Sequence, residues 1–498
     1  MSKKRLLSSG FFSFIEKIVV VAAMLILTPS IITSIGSDGY GLWLLILSVL
    51  AFFNIIELGF PAAVQRFVTL YLEKDDKESA NRFLTVSLLL FTALGLISSS
   101  LAFLMFNTPE LLGLDNSMKS LLINVALVFV FKIVMDFAMN PINAIYAAYL
   151  RVDIDAVLAI FNVFIKSLLI YYVGRHEGIA TMAMCAVSTD VVINIIKIAI
   201  ARKIYPHWQF HLSDINLLTL KELFNFSKYI IIMSIAKVIN QRSAPIIISN
   251  LMTVKSVAIF GVAQNLINHA DTLTHSIFNA FSAYFTQLVA RGSEMTEYIV
   301  RTAKMGFLVS TLLAVNILLF SQSFITVWLG ETFEQAATVV SIMAFALLTS
   351  PYAMIFRKIL IAQANHKNLM YVSLFGSVIT LLLIFILGSK YGIIGVALTF
   401  TLVSYLVQFF LFRVVFNQFN SVPLYRVDIC FLISLILCLV ALLASHFYPL
   451  FWIDNWGSLV VSGILFNIVF LPCLAYLTLP KEFIVQIITL LKNKVRRA

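Results

Sequence analysis

The chain has 498 residues, of which 61% are hydrophobic and only 12% are charged. No soluble fold has enough interior to bury that much apolar surface, so the composition excludes a soluble globular protein and predicts an all-α polytopic membrane protein. The 35 Lys and Arg exceed the 24 Asp and Glu, which gives a formal charge of +11. In a membrane protein, such an excess is explained first by orientation in the bilayer and not by a nucleic-acid partner.

Apolar stretches long enough to cross a bilayer recur along the whole chain. A hydrocarbon core about 30 Å thick requires about 20 helical residues, and on that basis we predict about 14 transmembrane helices. They lie near residues 13–35, 41–71, 82–106, 120–149, 156–174, 178–203, 222–250, 256–290, 298–322, 334–362, 369–388, 392–417, 427–447 and 457–479. The first run resembles a signal peptide, but no small-residue cleavage site follows it, so we interpret it as a retained helix.

Lys and Arg are distributed unequally between the two sets of predicted loops. With the N-terminus in the cytoplasm, 23 of them fall in inner loops and termini, and four fall in outer loops (Lys119, Arg175, Lys255 and Lys390). Positive charge concentrates on the cytoplasmic side of membrane proteins. Both termini are therefore predicted to be cytoplasmic. The remaining eight basic residues lie within the first eight predicted helices.

Four short motifs recur in order at nearly one displacement, near 215 residues. The pairs are Gly174-x-x-x-Gly178 with Gly388-x-x-x-Gly392, Leu112-Gly113 with Leu329-Gly330, Pro29 with Pro245, and Asn140-Pro141 with Ser350-Pro351. Chance matching among apolar sequences is the alternative to a true repeat. A period containing six helices predicts two six-helix lobes related by a parallel internal repeat. We place the lobes at residues 1–212 and 213–425, with two additional helices and a basic tail at 426–498.

Charged residues occur at mid-bilayer depth, where they are energetically expensive. Those nearest the middle of their helices are Lys132, Lys166, Asp190, Lys237 and Asp271. Two interpretations are open. The charges could be structural pairs between or within helices, such as Lys132 with Asp136 at i,i+4. Alternatively, they could line a water-filled cavity formed by the first eight helices, which is the usual setting of intramembrane charges in transporters.

The cavity hypothesis assigns roles by charge. The cationic candidates for holding an anionic headgroup along a substrate pathway are Lys132, Lys166, Lys237, Arg242 and Arg66. The titratable candidates for binding or releasing a coupling ion are Glu57, Asp136, Asp190, Asp271 and His275.

Motifs for catalysis and metal binding are absent from the sequence. There is no Walker loop, no HExxH and no GxSxG, and His269 and His275 are six residues apart on opposite faces of one helix. The four cysteines lie in apolar stretches without metal-ligand spacing. We therefore expect no catalytic residue, no metal and no cofactor, and a protein that is not an enzyme.

The opening segment carries a family resemblance. Gly36-x-x-Gly39-Tyr40-Gly41-Leu42-Trp43, followed by Glu57-Leu58-Gly59-Phe60 and Arg66, resembles the start of the polysaccharide flippases, and so does Trp328-Leu329-Gly330 after the ninth predicted helix. These flippases belong to the multidrug/oligosaccharidyl-lipid/polysaccharide exporter superfamily and include the O-antigen flippases.

The resemblance implies a V of two six-helix lobes with two appended helices. It also implies transport of an undecaprenyl-pyrophosphate-linked oligosaccharide from the inner to the outer leaflet of a bacterial inner membrane, by ion-coupled alternating access. Such transport supplies O-antigen, lipopolysaccharide or exopolysaccharide biosynthesis. The implied partners are the lipid-linked substrate, a proton or sodium gradient, membrane lipids, a polysaccharide polymerase and chain-length proteins.

Two other functions are compatible with parts of the pattern. A multidrug or cation antiporter of the same superfamily would favour carboxylates in its cavity, whereas the mid-bilayer set leans basic. A membrane-embedded polysaccharide polymerase or ligase would need a large outer loop, and no predicted outer loop is long enough.

Overall fold

The computed structural model describes residues 3–54, 59–210, 216–291, 296–362, 366–416, 425–447, 453 and 455–479. Every regular element in these ranges is helical, and they contain no strand. The prediction of an all-α chain is therefore confirmed for the described residues.

Fifteen helices follow one another in these ranges. They are α1 (Lys3–Phe53), α2 (Phe60–Glu73), α3 (Lys77–Phe106), α4 (Lys119–Ala148), α5 (Val152–Leu169), the short α6 (Arg175–Glu177), α7 (Ile179–Ile204), α8 (Leu217–Leu251), α9 (Val254–Arg291), α10 (Thr296–Leu329), α11 (Glu334–Ala344), α12 (Ser350–Ala362), α13 (His366–Phe416), α14 (Tyr425–Phe447) and α15 (Trp456–Thr478). A π-helical turn, Ile170–Gly174, joins α5 to α6.

Eleven segments of the described chain are long and apolar enough to cross a membrane. The protein is thus a multi-pass membrane protein. Two of these segments are much longer than a single crossing requires, Ile15–Phe53 with 39 residues and Lys367–Val414 with 48. Each contains one glycine with non-helical backbone, Gly36 (φ 75°, ψ 172°) and Gly392 (φ 62°, ψ −146°).

Several predicted helix boundaries are wrong. The continuous helix expected over 41–71 is interrupted, because α1 ends at Phe53 and Gly59 has φ 100° immediately before α2. A Cβ at Gly59 would lie 2.7–2.8 Å from atoms of Ile231, so both the backbone angle and the close approach of α8 favour glycine there.

The tenth predicted helix, 334–362, is also divided. Its two halves, α11 and α12, are separated by a 3-10 segment over Phe345–Thr349. Pro351 lies at the start of α12, where its missing N–H removes a helical hydrogen bond and interrupts the α-helical ladder before it. The pattern of apolar residues continues through the interruption, which is why the sequence predicted a single helix.

The chain forms two compact units, residues 1–258 and 259–498. In the first unit α3 packs closely along α4, and Gly95 permits that approach because a Cβ there would lie 3.1 Å from Val134 Cα and Phe137 Cβ. In the second unit α10 packs against α11, α14 and α15, and its buried Phe307 contacts the rings of Tyr352 and Phe431. The lobes predicted from the repeat, 1–212, 213–425 and 426–498, stay a prediction.

The segment after α7 is tied back to the start of α3. The side-chain amide of Asn81 donates a 2.8 Å hydrogen bond to the carbonyl of His207, and the hydroxyl of Tyr205 lies 3.5 Å from the carbonyl of Lys77. Burial raises the pKa of Tyr205 to about 12. At the start of α3, Asp76 accepts the backbone N–H of Ser79, which lowers the pKa of its carboxyl group. These contacts fix the ends of α3 and α7, and so help position α7 in the first unit.

Candidate functional site

Three helices of the first unit bring charged side chains together near the middle of their membrane spans. Helix α4 supplies Lys132 and Asp136, α5 supplies Asn162 and Lys166, and α7 supplies Asp190. The residues of α4 and of α5 are each four apart, so each pair projects from one face of its helix. We call these five residues the α4–α5–α7 cluster.

Short contacts connect the whole cluster. The Nζ of Lys132 lies 2.6 Å from Asp136 Oδ2 and 2.7 Å from Asp190 Oδ2. Lys166 Nζ lies 2.6 Å from Asp190 Oδ1, and Asn162 Nδ2 donates to the same oxygen at 2.9 Å. The approach of Lys132 to Asp190 Oδ2 is close but poorly aligned, and Oδ2 accepts no hydrogen bond of good geometry.

The cluster is electrically balanced. Its two lysines carry two positive charges and its two aspartates carry two negative charges, so it has no net formal charge. Asp190 is the central member because it contacts donors from both other helices, and its side chain is only 8% exposed. A charge buried to that degree is tolerated when it is paired and hydrogen-bonded. The structure thus forms the Lys132–Asp136 pair that one interpretation of the sequence predicted, and extends it to Asp190 and Lys166.

Small buried side chains surround Asp190 on α7. Ala183, Ala186 and Thr189 are all buried on α7, and the Thr189 hydroxyl donates back to the carbonyl of Cys185 at 2.7 Å. The hydroxyl group therefore needs no partner from a neighbouring helix. In that turn of α7, it is Asp190 whose polar side chain contacts α4 and α5.

A second ion pair joins α5 to α7 closer to the ends of both helices. Lys197 Nζ lies 2.6 Å from Asp155 Oδ1, and the buried Tyr146 donates its hydroxyl to the backbone carbonyl of Lys197 at 2.7 Å. This pair was not among the site residues predicted from sequence. The sequence did carry a signal for this pair. Asp155 lies seven residues before Asn162 on α5, and Lys197 lies seven residues after Asp190 on α7. A spacing of seven places each residue on the helix face that the cluster uses.

The other cationic candidates lie apart from the cluster. Arg66 of α2 is exposed and places its guanidinium 4.6 Å from the ring centroid of Phe226 and 5.7 Å from that of Phe67, which is cation–π geometry. Arg242 of α8 is exposed and forms no ion pair with any residue that the structure describes. The side chain of Lys237 lies outside the described residues, and so does Glu57.

The second unit contains its own polar site on α9. His275 Nε2 lies 3.0 Å from Asp271 Oδ2, and the hydroxyl of Ser350, at the start of α12, donates to Asp271 Oδ1 at 2.6 Å. The structure thus brings together the two candidate residues of α9 and adds Ser350. Ser350-Pro351 is one of the recurring motifs of the sequence, but nothing in its spacing indicates a contact with Asp271.

The described residues also bear on metals and thiols. No group of three or more His, Cys, Asp or Glu among them could hold a metal ion. Cys185, Cys430 and Cys438 are free and buried, and Cys473 is free and exposed. Within the described part of the chain, the chemistry available at both sites is therefore charge pairing, hydrogen bonding and proton binding.

The fold is similar to that of solved transporters of the multidrug/oligosaccharidyl-lipid/polysaccharide (MOP) superfamily. A lipid II flippase, MurJ, in an inward closed conformation has TM-score 0.70 and 15% identity, covering 95% of this chain and 99% of that one. An inward-facing multidrug resistance transporter of the MATE family has TM-score 0.67 and 14% identity, covering 82% and 99%. A mutant of the Vibrio cholerae MATE transporter VcmN has TM-score 0.58 and 13% identity, covering 85% and 98%.

In sequence, the chain is similar to an uncharacterized membrane protein, EpsK of Bacillus subtilis (strain 168). The two are 23% identical over 335 residues, which is 65% of each chain, so this chain spans slightly less than two thirds of that protein's length. No protein-family model matches the sequence. This relative is itself a membrane protein, in agreement with the eleven candidate spans.

Proposed function

We propose that the protein is a flippase that moves an undecaprenyl-pyrophosphate-linked oligosaccharide from the inner to the outer leaflet of the bacterial inner membrane. The observation that carries the proposal is the α4–α5–α7 cluster, with two lysines at mid-span inside a MOP-superfamily fold. A lysine ammonium is a compact charge with three donors and suits phosphate oxygens. The lipid-linked oligosaccharide would then serve, in the outer leaflet, as a precursor of O-antigen, lipopolysaccharide or exopolysaccharide.

The extent of the fold similarity favours a lipid-linked substrate over a drug. The match to the lipid II flippase covers 95% of the chain, and that to the inward-facing MATE transporter covers 82%. The difference, 13% of 498 residues, is about 65 residues, which is enough for two further membrane helices at about 20 residues each.

We infer 14 membrane crossings in two parallel six-helix repeats plus two helices. At 1.5 Å per residue, the 39- and 48-residue segments would be about 58 and 72 Å long as straight helices, far beyond a core about 30 Å thick. Reversal at Gly36 and Gly392 divides each into two crossings. Dividing these two segments adds two crossings to the 11 candidates. The polar 38-residue α9 is not among the candidates and adds one more, which makes 14.

Backbone geometry supports the repeat at one of its two pairs of glycines with positive φ, because Gly113 (φ 69°, ψ 28°) and Gly330 (φ 83°, ψ 176°) differ in ψ. Gly178 and Gly392, the matched glycines 214 residues apart, both have positive φ with extended ψ (90°, −174° and 62°, −146°). That conformation is essentially restricted to glycine. An even number of crossings places both termini on one side, and the excess of inner Lys and Arg makes that side the cytoplasm.

Ion coupling belongs to this proposal. Asp271 and His275 of α9 form a carboxylate–imidazole pair, and both are groups that can bind a coupling ion. A proton or sodium gradient would then drive alternating access, with the membrane lipids as surroundings and a polysaccharide polymerase and chain-length proteins acting on the product. The chain itself performs no covalent chemistry in this scheme.

The rival function is a multidrug or cation antiporter, which the MATE-like fold and the carboxylates Asp136, Asp190 and Asp271 favour. Extrusion assays with organic cations separate the two functions. Cation extrusion that depends on these carboxylates would replace the flippase proposal.

Deletion of the protein from its bacterium tests the proposal. We expect surface glycan to disappear and lipid-linked oligosaccharide to accumulate in the inner leaflet. A membrane-impermeant lectin should therefore bind this oligosaccharide only after the cells are lysed. If the lectin reaches the unpolymerised precursor on intact spheroplasts, the protein acts after translocation, as a polymerase or ligase would.

A further inference from the structure

The α4–α5–α7 cluster contains an anion-binding arrangement that is filled by one of the chain's own carboxylates. Lys166 Nζ and Asn162 Nδ2 approach the same oxygen, Asp190 Oδ1, at 2.6 and 2.9 Å. Two donors converging on one anionic oxygen is also how a phosphate oxygen is held. Because Asn162 and Lys166 are four residues apart on α5, one rigid helix face presents both donors.

The two lysines of the cluster are not equivalent. Lys132 is shared between Asp136 and Asp190, at 2.6 and 2.7 Å, so drawing it away would leave Asp136 without its only described cation. Among the acidic residues that the structure describes, Lys166 forms an ion pair with Asp190 alone. If an incoming anion took Lys166 and Asn162, Asp190 would still be compensated by Lys132. The α5 donors can therefore be exchanged while Lys132 stays in contact with both carboxylates.

Both lysines are partly exposed, Lys132 to 26%, so exposure separates the lysines from Asp190 and not one lysine from the other. The Lys166 side chain is 29% exposed, whereas that of Asp190 is 8% exposed. The donors are thus within reach of a molecule outside the helix bundle, and the carboxylate that they hold is not. The arrangement suits a resident anion that stays in place and competes with a visiting one.

We propose that Asn162 and Lys166 form the pyrophosphate-binding pair of the protein and that Asp190 is its built-in competitor, which returns to the two donors and so promotes release of the substrate. This inference rests on the proposed function for the identity of the anion. It assigns binding to Asn162, which the sequence had not singled out, and gives Lys132 the role of counter-ion to the two aspartates. A bound pyrophosphate is displaced when Asp190 Oδ1 regains both donors.

The decisive experiment measures equilibrium binding of inorganic pyrophosphate, and separately of undecaprenyl pyrophosphate in phosphatidylcholine nanodiscs, to the purified full chain. Asp190→Asn keeps the shape of the side chain but removes the competing charge, so we expect both ligands to bind about tenfold more tightly. Lys166→Met and Asn162→Leu should bind both more weakly. Tighter binding of the lipid alone would still support the pair and would show that the polyprenyl chain is needed.

The matched control is Asp155→Asn, which makes the same substitution in another Lys–Asp pair of the same 2.6 Å length on the same helices. We expect it to bind pyrophosphate within about twofold of the unaltered chain, a range that separates it from the tenfold change. If Asp190→Asn bound both ligands no more tightly than the unaltered chain, the inference would be overturned, and equal tightening by Asp155→Asn would overturn it as well.

Transport kinetics distinguish competition from a merely structural role. In liposomes, Asp190→Asn should lower both the half-saturating substrate concentration and the maximal rate, because release becomes slow. A folding defect would lower the rate without improving half-saturation, and that outcome would contradict the inference. Asp190→Glu, which keeps the charge, should restore release if Asp190→Asn fails to fold, and a Glu variant that tightens binding would also contradict it. If the unaltered chain binds pyrophosphate with the expected variant pattern but moves no lipid-linked glycan, the proposed function fails and the anion site stands.

Discussion

The two units of the molecule use polar groups differently. In the first unit, charged side chains join α4, α5 and α7, with Asp190 as the shared centre. In the second unit, the described Asp271–His275 ion pair lies within α9, and the carboxylates of Asp271 and Asp428 contact other helices through the hydroxyls of Ser350 and Tyr352. Contacts between helices there include uncharged pairs, such as the reciprocal amide hydrogen bonds of Asn316 and Asn467 at 2.8 and 3.0 Å.

The difference indicates which polar groups serve packing and which serve substrate. Neutral hydrogen bonds are sufficient to connect membrane helices and cost little to bury. Charges at mid-membrane depth are far more expensive, and in transporters they mark substrate and ion pathways. The first unit is therefore where we place anion handling, and the second is where we place ion coupling on α9 and uncharged contacts between helices.

The largest effect should come from removing the exchangeable cation. Lys166→Met should reduce glycan flipping about 10- to 100-fold, which is the value of a charge-assisted hydrogen bond expressed as a rate. Flipping would be followed in proteoliposomes as loss of lectin access to labelled lipid-linked oligosaccharide.

The control for that variant is Lys197→Met, which removes the cation of the Lys197–Asp155 pair on α7. It should retain flipping within about threefold, because this lysine lies outside the proposed binding pair, and threefold is below the loss of one such hydrogen bond. Equal losses from both variants would mean that ion pairs of the first unit act only by holding helices together.

The second unit is tested by Asp271→Asn. We expect the stimulation of flipping by an imposed proton gradient to fall about tenfold, the equivalent of 1.4 kcal/mol, while pyrophosphate binding is unchanged. Asp428→Asn is the matched control, because Asp428 also accepts a hydroxyl, from Tyr352, just as Asp271 accepts that of Ser350. Gradient dependence that survives Asp271→Asn would remove ion coupling from α9.

A smaller effect, on stability alone, is expected at the proposed reversal in α13. Gly392 has φ 62° with open space around a Cβ position, so Gly392→Ala adds backbone strain without a clash and should cost about 1–3 kcal/mol of unfolding free energy in detergent. Gly463 also has open space but lies within helix α15, and Gly463→Ala should be neutral or stabilising by up to about 1 kcal/mol. Equal responses of the two variants would argue against a strained turn at Gly392.

The smallest effect concerns the neutral contacts of the second unit. Asn316→Leu and Asn467→Leu should each destabilise the contact of α10 with α15, because the remaining amide loses its partner. The double variant should recover part of the loss, with a coupling energy of about 0.6–1.7 kcal/mol in a double-mutant cycle of thermal unfolding. Strict additivity would show that the two amides do not stabilise each other.

Sequence patterns predicted the helical class, the multi-pass character and the mid-span placement of the charges, because hydropathy and residue spacing depend on local sequence alone. They also allowed for the Lys132–Asp136 pair, whose i,i+4 spacing is a property of one helix. The link from Lys132 and Lys166 to Asp190 could not be predicted, because it depends on how α4, α5 and α7 pack. The break before α2 was missed because apolar residues continue through it, although Gly59-Phe60-Pro61 carried a local signal for a helix start.

The most direct test reconstitutes the purified chain in liposomes that carry labelled, undecaprenyl-pyrophosphate-linked oligosaccharide, with a membrane-impermeant lectin added outside to report which leaflet holds the glycan. We expect the unaltered chain to move the glycan to the opposite leaflet, Lys166→Met to move it about 10- to 100-fold more slowly, and Asp190→Asn to bind the lipid more tightly while moving it more slowly. Movement by Lys166→Met at the rate of the unaltered chain would contradict the account.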